Sequence, residues 1–448
     1  MIKTILHQIW NERRQNGWLF VELVAIVIFL WIAIDPLFIL FSNSNILKGY
    51  NDDNVYFLTF EPKRTNQLSN GNVAEECAND FVQAVNIIRA QPEVESYGVA
   101  SSNNFPNSMS NNCPMYEVDS IMNVNGENHS MHIITYDIYD FPGSDYFATF
   151  QIRDVNGEIM RKSSLGNGYG VYVSENLAQK AFGTTDVVGK IISYPDEKES
   201  INVAGIFSTL QTMKYIEPMY QILRIHDRSE ISQYIDKSYI FENYRIFFRL
   251  KKGIDVEAFM QRFRDEVAPK LDFNYRKCSM PAATNAAVEE YENMFGISNR
   301  YRVQMILSGF ALFCAFLGVM STYWVRVSSR RMDIGLMRSV GATHARILWQ
   351  FVFEGWLIVT FAFVAALPLL LHKVSIMGFS APLEKLTSML WEELILPKNS
   401  AYIHNQPVTH FAIVTVISYL FMLLVAAIGI IIPTIRIASI LPSEALKE

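Results

Sequence analysis

Four stretches of this chain are apolar for long enough to cross a hydrocarbon layer, and three of them crowd into its last third. A bilayer core takes about 20 helical residues. Residues 303–325 and 411–433 carry no charge, and residues 347–371 carry only Glu354. The fourth stretch, residues 18–41, holds Glu22 and Asp35-Pro36 near its ends but is uncharged from 23 to 34, with Trp18 and Trp31 suited to an interface. No small-x-small cleavage site follows it, which favours an anchor over a removed signal peptide. The whole chain is 50% hydrophobic and 18% charged over 448 residues, too polar to lie entirely in a membrane, so a water-exposed domain is expected between the first two spans. The net charge of −6 and the absence of a Lys/Arg run leave no nucleic-acid footprint.

Basic residues orient the spans. The connection 326–346 carries Arg326, Arg330, Arg331, Arg338 and Arg346 against Asp333, and Lys3, Arg13 and Arg14 precede the first span. The loop after the third span balances three Lys with three Glu. Both termini and the Arg-rich loop are therefore expected in the cytoplasm. The predicted order is a surface amphipathic helix (1–17), span one (18–41), an outer domain ending in a stalk helix (42–302), span two (303–325), the basic loop (326–346), span three (347–371), an outer loop (372–410), span four (411–433) and a cytoplasmic tail (434–448). The N-terminal helix is read from Ile2, Ile5, Leu6, Ile9 and Trp10, which fall on one stripe.

The outer domain reads as α+β, able to divide into two lobes. Strand patterns occupy 54–60, 94–100, 131–139, 170–173, 201–207 and 244–250, with helices at 73–90, 174–182, 255–271 and 286–301. Residues 66–72 and 101–112 are Asn- and Ser-rich loops, and 382–396 has amphipathic spacing. Cys77 and Cys113 are able to pair in an oxidising compartment, which would leave Cys278 single; the alternative is that all are reduced and buried, and Cys314 lies in span two. No metal-ligand spacing emerges.

Enzyme signatures are missing. Residues 183–190 look like a phosphate loop, but five residues separate the glycines where four are needed, and Ile191 replaces the Mg²⁺-holding hydroxyl. A helix-to-strand turn is the better reading. Glu22, Asp35 and Glu354 are candidate intramembrane charges, for a proton path or, more in keeping with their positions, for packing.

The basic loop is the most informative segment. Arg330-Arg-Met-Asp-Ile-Gly-Leu-Met-Arg-Ser-Val-Gly-Ala-Thr343 forms a helix pattern stopped by Gly341, with Ile334, Met337 and Val340 on an apolar edge expected to dock a partner. Together with Gln350, Phe351 and Glu354 it resembles the signature after the second span of MacB-type and FtsX-type ABC transporter permeases. Residues 171–183, 188–190 and 203–207 resemble the MacB-type periplasmic core domain, and Ala438-x-x-x-Pro442-x-Glu444-Ala445-Leu446 is similar to that family's tail.

That resemblance implies an integral membrane α-helical protein with four transmembrane helices and a large α+β periplasmic domain, multi-pass in a bacterial inner membrane. It also implies a non-catalytic permease subunit working by mechanotransmission, in contact with membrane lipid. Arg330, Arg331, Asp333, Ile334, Gly335, Arg338, Gly341 and Ala342 would couple it to a separate ABC ATPase subunit that holds the ATP and Mg. A second permease copy or paralogue would complete a dimer, and a periplasmic adaptor and outer-membrane channel are further candidate partners. Three functions stay open: export or extraction of a substrate, FtsX-like signalling to an extracytoplasmic cell-wall hydrolase, and a membrane-anchored receptor or adhesin.

Overall fold

The computed structural model describes residues 13–63, 71–101, 120–124, 127–131, 133–162, 170–193, 200–212, 218, 220–227, 244–294, 297–379 and 407–438. Of the surface helix expected over 1–17, residues 1–12 lie outside the described residues and 13–17 open the first long helix instead. Residues 66–70 and 102–112 of the expected loops, the helix at 382–396 and the tail motif beyond Ala438 also lie outside the described residues. Two units are present, one built from the apolar helices and one from most of the chain between the first two.

In the helical unit, α1 (Arg13–Ser44) is followed much later in the chain by α7 (Ile297–Ser329), α8 (Arg331–Ser339), α9 (His344–Met377) and α10 (Pro407–Ala438). Each of the four long helices is long and apolar enough to cross a membrane. Side-chain spacing decides which face turns inward. Leu19, Leu23, Val27, Leu30, Trp31 and Ile34 make one buried stripe of α1, and Ala315, Val319, Tyr323 and Val327 repeat every four residues on α7. Close approach is set by small residues: a Cβ on Gly429 would stand 3.1 Å from the Met320 Cα, so α10 and α7 nearly touch there.

Charges inside this unit are paired. Asp35 and His410, both fully buried, meet at 2.7 Å and tie α1 to α10, with Trp31 Nε1 donating to Thr415 Oγ1 at 3.1 Å alongside. Thr322 donates to Glu22 at 2.7 Å. These partners tie α1 to α10 and to α7.

The other unit is a mixed sheet of 11 strands in the order β13-β1-β11-β3-β6-β10-β7-β9-β8-β4-β5. Its strands are β1 (Val55–Leu58), β3 (Val94–Ser101), β4 (Ser120–Val124), β5 (Glu127–Met131), β6 (Ile133–Asp140), β7 (Gly170–Ser174), β8 (Ile191–Ser193), β9 (Ser200–Phe207), β10 (Tyr220–Asp227), β11 (Tyr244–Leu250) and β13 (Ala282–Ala283). β6 with β10, and β7 with β9, are parallel; the remaining pairs are antiparallel. A small second sheet pairs β2 (Phe60–Pro62) with β12 (Arg276–Cys278).

Period-two alternation sorts the central strands onto two faces. Tyr244, Ile246, Phe248 and Leu250 of β11 pack with α2 (Gly71–Arg89) and α5 (Val256–Arg262), whose path continues through a π-turn and a 3₁₀ turn to Leu271. Phe247 goes to the opposite face with Phe57 and the short α3 (Tyr146–Phe150). α4 (Glu175–Phe182) buries Leu177 and Ala178 against Val171, Val173, Val203 and Ile222, further along the sheet. Where two lobes were expected, one continuous sheet carries separate clusters beneath α2 with α5, α3 and α4.

Several expectations need correction or extension. β10 and the β4–β5 hairpin were not anticipated, because Arg224 and His226 interrupt the apolar pattern of the first and the second is mostly polar. Gly71 and Asn72 open α2 rather than closing a loop. The stalk helix appears as α6 (Thr284–Met294) and the start of α7, with 295–296 outside the described residues. The phosphate-loop lookalike is the helix-to-strand turn: Gly183 caps α4 in the left-handed region, and Lys190 N–H closes a turn on the Val187 carbonyl at 3.0 Å before β8. Cys77, for which pairing with Cys113 and a reduced place in the core were both open, is buried as a free thiol, and Cys113 lies outside the described residues. Cys278 is likewise buried and free, and burial pushes its thiol up to about 12.

Candidate coupling site

α8 is a nine-residue helix that follows α7 in the chain and packs against α10 and α9, and its sequence specifies where it stops. Ala342 N–H reaches the Met337 carbonyl and Gly341 N–H the Arg338 carbonyl, both at 3.0 Å. This double closure needs a left-handed residue, supplied by Gly341 at φ 90°. Ala342 and Met337 both pack against the helical core, the apolar contact that accompanies such an ending. Thr343 then caps α9, its hydroxyl accepting from Arg346 N–H at 3.3 Å.

Two apolar stripes run along α8, and the structure reverses which one is free. Ile334 is buried, Gly335 with it, and Met337 is half-buried on the core. Met332, Leu336 and Val340, spaced by four, are exposed, Val340 at 82%. The docking edge expected from Ile334, Met337 and Val340 is therefore wrong in its first two members. Those two anchor the helix, and Val340 belongs to the opposite stripe. Both stripes have helical spacing, so periodicity alone does not say which one the rest of the chain covers.

The charged residues divide in the same way. Arg331 and Asp333 are exposed and Arg338 is half-buried. Arg330, expected among the outward residues, instead turns inward at 8% exposure. Its Nη1 donates to both carboxylate oxygens of Glu354, at 3.0 and 2.9 Å, and its guanidinium lies 5.9 Å from the Phe351 ring centroid. Arg326 Nη2 adds a bond of 2.5 Å to Glu354 Oε1. Glu354 is itself only 3% exposed. Arg326 is not among the site residues expected from the sequence, and Glu354 enters there as an intramembrane charge and as a member of the span-three signature. Their signal was present: two arginines four apart at the end of span two, and one carboxylate early in span three.

No cluster of His, Cys, Asp and Glu able to hold a metal occurs among the described residues.

Family models place this arrangement. A model described as FtsX-like permease C-terminal matches residues 305–442, and one described as MacB-like periplasmic core domain matches residues 41–266. The chain belongs to the MacB/FtsX-like permease family. Solved structures similar to it include a permease-protein domain from Porphyromonas gingivalis (16% identity, 52% of this chain and 92% of that one, TM-score 0.30). The periplasmic region of MacB from Actinobacillus actinomycetemcomitans is another (11% identity, 56% and 98%, TM-score 0.30). A third is the extracellular domain of the noncanonic ABC-type transporter YknZ from Gram-positive bacteria (12% identity, 50% and 100%, TM-score 0.28). No curated protein matches the chain. Membership makes this MacB/FtsX-like chain an ABC transporter permease of the inner membrane, with the sheet unit as its periplasmic domain. α8, on the connection that does not lead into that domain, then faces the cytoplasm.

Proposed function

We propose that this permease subunit receives ATP-driven motion at α8 and relays it through its spans to the periplasmic domain, for export or extraction of a substrate. The ATPase, with its ATP and Mg, is a separate subunit in this reading, and two permease copies, or one with a paralogue, face two ATPase subunits. One observation carries it: α8 is pinned to the bundle by Ile334 and Arg330 while Met332, Leu336 and Val340 face outward beside Arg331 and Asp333. A helix serving only as a connection has no need of an apolar stripe on its cytoplasmic face. Such a stripe with a charged margin suits a protein partner, the apolar centre supplying affinity and the charges register.

The test is co-purification of an ABC ATPase from the same genome with the wild-type permease and with Leu336→Asp, Asp333→Arg and Arg338→Glu variants. Loss of contacts at such an interface is worth about 2–5 kcal/mol, so retention of the ATPase should fall at least about tenfold while insertion is unchanged. Wild-type retention by all three variants would reduce α8 to a topological connector and favour the anchored-receptor reading.

A further inference from the structure

We propose that Glu354 is the positioning residue that makes α7, α8 and α9 move as one body. This rests on α8 being the energy input proposed above. The chain joins these helices through short links: Arg330 between α7 and α8, and the Gly341 turn between α8 and α9. Covalent connection alone would let α8 pivot when a partner pushes on it.

Glu354 closes that freedom. It sits in the third turn of α9 and binds the last turn of α7 through Arg326 and the residue capping α8 through Arg330. All three side chains are at most 14% exposed, so the attraction is little screened by water. The stoichiometry sharpens the effect. One carboxylate holds two guanidiniums, so its loss removes the ties to α7 and to the start of α8 together. Glu22, the other glutamate in these spans, bonds only to the Thr322 hydroxyl among the hydrogen bonds described, and carries no such load.

The experiment uses the full chain in lipid nanodiscs, without native cysteines, carrying a spin label at Leu336→Cys on the outward face of α8. In wild type and in a Glu22→Gln control the label should report a helix fixed to the bundle. In Glu354→Gln its rotational mobility should rise at least about threefold, and Arg330→Gln, which leaves the Arg326 contact, should give a smaller rise. Equal mobility in wild type and in both variants would overturn the proposal. With the ATPase added to chains that keep Leu336 and carry only a fluorophore on the periplasmic domain, Glu354→Gln should retain it within about twofold of wild type yet lose the ATP-driven change at that fluorophore by at least about fivefold. Parallel loss of docking and signal would also overturn it, since Glu354 would then only support the shape of α8. If wild type itself fails to hold an ATPase, the coupling reading falls, and the label mobility on the chain alone still decides the joint.

Discussion

Buried charge is expensive in a membrane, and Glu22, Asp35, His410, Arg326 and Glu354 each have a hydrogen-bonding partner on another helix. Asp35 and His410 are the extreme case, each at 0% exposure and joined at 2.7 Å between α1 and α10. Removing one partner strands the other, so Asp35→Leu should destabilise the helical unit by about 3–5 kcal/mol, whereas Asp35→Leu combined with His410→Leu should recover a substantial part of the loss. Thermal or denaturant melting of the chain in nanodiscs checks this, and purely additive effects would show that the two side chains are not energetically coupled. In the periplasmic domain the same rule operates with better solvation. Asp137 lies among Arg224 and His226 at 2.8 Å each. Burial alone would raise its carboxyl, but the His226 and Arg224 interactions outweigh it and hold the group below the ordinary aspartate value. A depressed carboxylate adds stability above its unfolded value of about 3.9 and loses it as pH falls through the native one.

At the scale of elements, small residues decide how closely the spans approach. Gly429 faces the backbone of Met320, which cannot step aside as a side-chain end can, while Gly355 meets the flexible end of Ile430 and the ring of Tyr323. Gly429→Val should therefore push α10 from α7 and cost about 1–3 kcal/mol, with Gly429→Ala milder. Melting of the two variants checks the order, and equal stability of both with wild type would mean that the contact relaxes freely. α8 teaches a related lesson. Its ending was legible, because Gly341 is the residue a left-handed position calls for, but its free face was not. Met332-Leu336-Val340 and Ile334-Met337 are equally regular on paper, and only the bundle beneath them distinguishes anchor from docking edge.

At the scale of the whole molecule, the two units divide the work between lipid and water. A label at Lys252→Cys, in the exposed turn between β11 and α5, should react with an impermeant thiol reagent in intact cells after outer-membrane permeabilisation; Ser329→Cys, at the end of α7, should not. A background without native cysteines keeps the reading clean. The reverse pattern would invert the assignment of α8 to the cytoplasm and remove its access to ATP.

Much of this was legible residue by residue. Runs of uncharged apolar residues specify spans whatever they pack against, since lipid demands internal hydrogen bonding, and the Arg-rich connection orients them by charge alone. The strands at 94–101, 170–174, 200–207 and 244–250 announced themselves by β-branched and aromatic content. Tertiary structure decided what depends on residues far apart in the chain. The continuous sheet places β10 beside β6 although about 80 residues separate them, a pairing no local pattern encodes. Likewise Arg326 read as a topology signal, Arg330 as a residue facing a partner and Glu354 as an intramembrane charge in the span-three signature. They became one site because the turn through α8 brings the end of one span against the third turn of the next, where a shared carboxylate lowers the cost of burying both cations.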